Sequence, residues 1–490
     1  MRRWELSLAL DQRREQPLFL QLASAIADDI RRGRLKPGEA LPGSRELAEL
    51  LGVNRNTIVA GYGELAAEGL VSTRVGGGTF VAAGDSIPIM RATVAANTLD
   101  DTPTYALTAP LPLKVRTATY RPGTLILSRG VPDARLFPAQ AMARAFRRAI
   151  GRRGRLPLTY TNPAGHPRLR TELATMLSRT RGLFVTPDNL IVTRSIEQGI
   201  DLVARALLAP GDAVAVERFS YAPARSVMKL AGARLIPVPV DEHGMDVAAL
   251  EAVLANETVR AVFVTPHHQF PTTAVMTPGR RARLAELALA HRFAIIEDDY
   301  DHELHYAGKP ILPIAAGRGR PNVVYIGSLA NFLTPGFGTA FVVAPPSVIE
   351  RLISFRAASD AQGDAAVECA IAELFEDGEL LRHVRRMRRT YASRRDALAA
   401  ALQRHIGSAI SFRVPDGGMA LWARVDESID TAAWAQAGEA EGVVFNDARG
   451  CDVHERDTSH MRLGYSFHDE AELEDAARRM ARALVRVRTI

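Results

Sequence analysis

A short apolar run ending in a polar or acidic residue recurs along the chain: DNLIVT (188–193), DAVAVE (212–217), VRAVFVT (259–265), FAIIEDD (293–299) and VVYIG (323–327). Helix-period patterns separate these runs throughout residues 121–490. Continuous apolar runs fit strands buried on both faces, and their alternation with helices predicts an α/β domain built on a mainly parallel sheet covered by helices. The 490-residue chain is too long for one average domain. Three stretches separate. Residues 10–83 are helical patterns closed by a glycine-rich hairpin, and residues 84–120 carry Pro, Thr and Ala without periodicity and read as a linker. Residues 121–490 form the α/β part, with a large portion over about 170–345 and a smaller α+β portion over about 346–490.

Several function classes drop out on composition. No run approaches the roughly 18 apolar residues of a membrane span, and the N-terminal MRRWELSLALDQRREQ lacks the apolar core of a secretory signal. Cys369 and Cys451 are the only cysteines, so neither a disulfide framework nor a cysteine zinc site is expected, and no metal site is read. A cytoplasmic protein with no membrane partner is expected. The net charge of +6 permits nucleic-acid binding, yet residues 1–83 hold 11 Arg/Lys against 10 Asp/Glu. A DNA-binding case must therefore rest on where the charges stand.

Their placement is informative. Pro17 starts a helix bearing Leu18, Leu22, Ile26 and Ile30 on one side. Ser44 is expected to cap a short helix over Arg45–Leu51, Gly52-Val53 to turn the chain, and Asn54 to cap the next helix, with Ile58, Tyr62 and Leu65 at i, i+4, i+7. Two short helices across a tight glycine turn make a helix-turn-helix, whose second helix presents Arg55, Asn56 and Thr57 to the major groove. LVSTRVGGGTFVA then reads as two strands around Gly76-Gly77-Gly78, a wing. A helical pair with a glycine turn is by itself ordinary packing; the ordered whole is more specific. The string from Pro17 to Ala82 resembles the GntR-type winged helix of bacterial transcription regulators. The resemblance implies contacts to double-stranded DNA from Arg45, Arg55, Asn56, Thr57, Gly76 and Gly77. Val59 stands where some relatives carry another arginine.

The segment NVVYIGSLANFLTPGFGTAFVV (322–343) reads as strand, polar loop and strand. Loops at strand ends are where reactive side chains usually sit, yet this one offers only a serine and an asparagine. The landmarks LTYTNPAGHPRLR (158–170), TPHHQFPTTAVM (265–276), IIEDDYDHELHY (295–306), this loop and MRLGYS (461–466) are similar, in order, to fold-type I PLP-dependent aminotransferases. With the winged helix in front, the whole chain resembles the MocR subgroup of GntR regulators, a winged helix-turn-helix joined to a fold-type I PLP-transferase-like domain. The resemblance implies that Asp298 stands at the pyridine-nitrogen position and Tyr300 at the ring-hydroxyl position. It likewise assigns Tyr160 and Ser328 to phosphate-contacting positions and Arg462 to the substrate-carboxylate position.

The decisive positions depart from the pattern. Where such domains read G-S/T-F-S-K-T-L-x-P-x-L-R-x-G, Asn331 replaces the imine-forming lysine and Gly338 the phosphate-clamping arginine. An amide nitrogen is delocalised into its carbonyl and forms no Schiff base. Where T-x-G-S-Q-Q is usual, Thr193-Arg194-Ser195-Ile196-Glu197-Gln198 puts a carboxylate at the cup. Set about 4 Å from a phosphate charge, it costs ~4 kcal/mol at an effective dielectric of about 20. Lysine occurs only at Lys36, Lys114, Lys229 and Lys309, none expected in the cleft. The expectation is a homodimeric regulator whose aminotransferase-like domain senses an unidentified effector, with PLP implied by resemblance but not held covalently. The rivals are an active PLP aminotransferase, a regulator that binds PLP noncovalently, and a dimerising scaffold.

Overall fold

Two residues set the N-terminal turn. In the computed structural model, which describes residues 16–74, 78–82, 120–128, 130–152, 158–317, 319–456 and 458–488, Gly52 ends helix α2 (Ser44–Leu51) with φ +62°. That left-handed conformation suits glycine at a helix C-terminus. Asn54 then starts α3 (Arg55–Ala67) by accepting a hydrogen bond from the Asn56 amide at 2.9 Å. Helix α1 (Leu18–Arg31) buries Leu22 and Ile26 against Ile58, Tyr62 and Leu65 of α3. Its approach is close: a Cβ on Gly61 would lie 2.9 Å from Leu22 Cδ2 and 3.1 Å from the Phe19 carbonyl. Strands β1 (Val71–Arg74) and β2 (Gly78–Val81) pair antiparallel, Arg74 opposite Gly78. The hairpin tip with Gly76 and Gly77, and all but Tyr120 of the 84–120 stretch, lie outside the described residues.

One expectation differs. Ser44 does not cap α2; the preceding Gly43 holds that place, and Ser44 is the first helical residue. Its hydroxyl instead accepts from Arg55 Nε at 3.3 Å, tying the start of α2 to the start of α3.

The chain divides into compact units at residues 1–108 and 109–490. In the second, strands β3 (Leu190–Thr193), β4 (Ala213–Glu217), β5 (Arg234–Val238), β6 (Val259–Val264), β7 (Ala294–Asp299), β8 (Val323–Ser328) and β9 (Ala340–Val343) form one sheet in the order β3-β9-β8-β7-β6-β4-β5. The five strands from β8 to β5 are mutually parallel, and β9 runs antiparallel to both β3 and β8. Residues of β3, β4, β7 and β8 are buried almost without exception, as a sheet covered on both faces requires. A second sheet of β10 (Ile410–Phe412), β11 (Ala420–Val425) and β12 (His460–Gly464) is antiparallel, with β11 in the centre. Long helices α4 (Glu379–His405) and α5 (Glu470–Arg488) pack together beside it. This is the expected mixed α/β architecture with a mainly parallel sheet.

Candidate functional site

Parallel strands deliver their C-terminal ends to one edge of a sheet, where ligands of α/β folds gather. Here that edge opens onto a cavity of about 290 Å³ lined by Asp298 and Tyr300 at the end of β7, Ser328, Ala330 and Asn331 at the end of β8, the Arg194–Glu197 segment after β3, Tyr221 and Phe270 from two loops, and Arg462 from β12. Asp298, Tyr300, Ser328, Asn331 and Arg462 are thus brought together. A larger hollow of about 470 Å³ around Arg281 and Leu312 carries less chemistry, because Arg281 already donates to the Met276, Pro266 and Leu312 carbonyls.

Asp298 is buried and one of its oxygens has no partner. Burial first, then the negative charges of Asp299, Glu197, Asp301 and Glu217, push its pKa well above the ordinary carboxylate value. A cationic or donating group beside it would satisfy the unpartnered oxygen. Tyr300 donates its hydroxyl to the His268 carbonyl at 3.0 Å. Asn331 Nδ2 donates to the Tyr300 carbonyl at 2.8 Å, so its amide braces the β7 loop. Arg462 lies over the Phe270 ring at 4.8 Å, its Nε buried without a partner. A Cβ on Gly130 would stand 2.7 Å from one of its guanidinium nitrogens, so Arg462 occupies space that only a glycine leaves.

The opposite end is crowded by internal contacts. Ser195 caps the helix Ile196–Leu207 by accepting from the Gln198 amide. Gln198 spends its side chain on the Arg194 amide and on Asp360, both at 2.8 Å. Glu197 accepts from the Tyr221 hydroxyl at 2.7 Å. Gly338 has φ +40°, and a Cβ there would lie 2.8 Å from the Arg194 carbonyl. No lysine lines the cavity among the described residues; Lys229 lies in the last turn of the helix Ala222–Leu230 and Lys309 follows Gly308 in a loop.

Tyr160 is not brought to this cavity within one chain. It is 90% exposed, beside a neighbouring hollow that it shares with Arg194 and Gln362. The adjacent Thr161 amide bonds the Gln362 side chain, which holds the segment outside the cleft with the ring turned outward. On the N-terminal unit, Arg45, Arg55 and Asn56 are exposed and Thr57 is half-buried. Sequence reasoning missed Tyr221 and Gly130 around the cavity, the buried Glu217 at the end of β4, and a cluster of histidines at His267, His268, His302 and His305. The signal was in plain view, since the TPHHQ and DHELHY loops each carry two histidines after a strand.

Residues 124–480 match the family described as "Aminotransferase class I and II", and residues 18–81 match "Bacterial regulatory proteins, gntR family". The probable rhizopine catabolism regulatory protein MocR of Rhizobium meliloti is 30% identical over 468 residues, 94% of this chain and 92% of that protein. The chain belongs to the MocR-type gntR regulators. The pyridoxine biosynthesis regulator PdxR of Corynebacterium glutamicum is likewise 30% identical, over 96% of this chain and 98% of its own. Among solved structures, the α-aminoadipate aminotransferase LysN of Thermus thermophilus superposes with a TM-score of 0.71 at 28% identity, over 75% of this chain and 94% of that one. A MocR-type regulator thus joins a gntR-type DNA-binding unit to an aminotransferase fold. No helix among the described residues is long and apolar enough to cross a membrane.

Proposed function

We propose that this MocR-type protein is a DNA-binding transcription regulator, not a transaminase, whose aminotransferase-like cavity binds a small-molecule effector without forming an imine. The observation that carries the reading is Asn331: the loop after β8 presents to the cavity an amide already donated to the Tyr300 carbonyl, with no lysine among the described lining residues. PLP needs an amine, a phosphate cup and an acceptor for its ring nitrogen. The unpartnered oxygen of Asp298 suits the last. The first two do not fit. Glu197 places a carboxylate in the cup, Gln198 is spent, and the backbone at Gly338 leaves no room for a clamping side chain.

What remains suits a zwitterion. Arg462 would take a carboxylate, while Asp298 would take an ammonium group. We place DNA contacts at Arg45, Arg55, Asn56, Thr57 and the Gly76-Gly77 wing, and a homodimer interface over the exposed Leu158 and Tyr160 at the rim. Incubation with PLP followed by borohydride, then mass spectrometry, tests the central claim. Unmodified lysines are expected; a reduced pyridoxyl group on a lysine would refute it.

A second reading has its own support. Asp298 would suit the protonated ring nitrogen of PLP held noncovalently. Calorimetric titration separates the two: the zwitterion reading expects heat from an amino acid and none from PLP, whereas micromolar PLP binding favours the second.

A further inference from the structure

Behind the cavity wall, two strand-end loops bring four imidazoles into one buried cluster. His267 and His268 follow β6, and His302 and His305 follow β7. The His267 ring lies 4.3 Å from that of His268, 4.7 Å from His302 and 5.4 Å from His305, centroid to centroid. His267, His268 and His302 are at most 2% exposed. A buried polar atom ordinarily has a partner. Here both nitrogens of His267, Nε2 of His268, Nε2 of His302 and Nδ1 of His305 have none.

We propose that His267, His268 and His305 form a binding site for a divalent transition metal of the zinc class. One ligand atom from each lies within 4.8 Å of the others, a spread that small side-chain rotations close to the span of a tetrahedral centre with bonds of about 2.0–2.1 Å. Imidazole nitrogen is the donor such ions prefer, and three protein ligands leave a position open for water. The surroundings match. Asp301 Oδ1 holds His268 Nδ1 at 2.8 Å, the carboxylate–histidine arrangement that fixes the ring and leaves Nε2 to the metal. Space beside that nitrogen exists because residue 417 is glycine; a Cβ there would lie 2.5 Å from His268 Nε2. His305, only partly buried, gives the ion a way in.

A competing set, His267, Asp299 and His302, shares one residue with the site. Asp299 already spends Oδ2 on the Tyr325 hydroxyl and His302 Nδ1, at 2.7 and 2.8 Å. The buried Arg181, paired with Glu303 and Tyr325, adds positive charge there. That positive charge disfavours a cation there, although Asp299 Oδ1 has no partner, so His302 is assigned as a neighbour and not a ligand. An ion at the first set would also reach the effector cavity, since the His268 carbonyl accepts from Tyr300.

The test uses the untagged full chain, stripped with a chelator, exposed to Zn²⁺, dialysed and assayed for metal by mass spectrometry. About one zinc per chain is expected for the wild type and for His302→Gln, with loss in His268→Gln and His305→Gln. Because His305 is partly exposed, His305→Gln should keep the metal-free melting temperature while losing the Zn²⁺-induced rise. Cobalt should give the intense visible bands of a tetrahedral centre in the wild type only weakly reproduced by His305→Gln. Wild type that retains no more zinc than His305→Gln overturns the proposal. So does loss of zinc in His302→Gln with retention in His305→Gln, which would assign the metal to the competing set.

Discussion

Glu217 offers a quantitative test of how strongly this domain holds charge out of water. It ends β4, is fully buried, and accepts through Oε2 from the Thr265 amide (3.1 Å), the Thr265 hydroxyl (2.7 Å) and Gln269 Nε2 (3.1 Å). Its other oxygen has no partner. Burial outweighs these hydrogen bonds and raises the pKa from 4.5 to about 7. The folded state therefore binds the proton more tightly than the unfolded state. Stability is fully present below pH 4.5 and is lost as pH rises through about 7. A rise from 4.5 to about 7 at about 1.4 kcal/mol per pH unit is ~3 kcal/mol, most of which falls between about pH 5 and pH 8.

Glu217→Gln removes the titration and keeps an acceptor for Thr265 and Gln269. Its unpaired amide has a cost, but that cost does not vary with pH. Urea unfolding, followed by the fluorescence of Trp422 and Trp434 in this unit, gives the stability difference between variant and wild type at each pH. The variant should gain ~2–3 kcal/mol on the wild type between about pH 5 and pH 8. Parallel pH profiles would refute the reasoning, because they would mean that Glu217 is solvated or paired in the folded chain.

Arg55→Ala should weaken operator binding across sequences and flatten the dependence of log K on log salt by about 0.9 if one phosphate contact is lost; an unchanged slope would remove Arg55 from the backbone contacts. Gly61→Val drives a side chain into Leu22 and the Phe19 carbonyl and should destabilise the winged helix by ~1–3 kcal/mol. Scanning calorimetry should show its transition falling while that of the larger unit stays. Gly130→Ala displaces the Arg462 guanidinium and should weaken amino-acid effector binding at least tenfold, ~1.4 kcal/mol. Equal affinity would take Arg462 out of the ligand contacts.

What the sequence could and could not disclose divides along chain distance. The helix-turn-helix was legible because its signals are local: Gly52 must adopt a left-handed conformation, and Asn54 reaches only two residues ahead. Ser44 misled because capping residues look alike wherever they stand, and its actual partner, Arg55, is eleven residues away. Asp298, Tyr300, Ser328, Asn331 and Arg462 were found because each belongs to an ordered motif, and parallel strands then carried them to one edge. The antiparallel turn of β9 has no such marker, since AFVV reads the same in either direction of pairing.

The histidine cluster shows the same limit from the other side. Nothing in HHQ or DHELH, read alone, separates a metal site from solvated loops. The meaning appears when β6 and β7 pair with Ala261 opposite Ala294 and Val264 opposite Glu297, which sets the two loops side by side. Asp298 and Asp299 then point to opposite faces of the sheet, one into the cavity and one toward the histidines. Two adjacent carboxylates thereby serve different surroundings. Burial and negative neighbours push the Asp298 pKa well up; Asp299, though burial opposes it, is kept well below the ordinary value by His302, His267 and Arg181. A charged ligand at Asp298 would add charge within one residue of the histidine side, and the Tyr300–His268 hydrogen bond would carry the displacement. The two sites share a strand end, so occupancy of one should alter the affinity of the other by an equal factor in both directions.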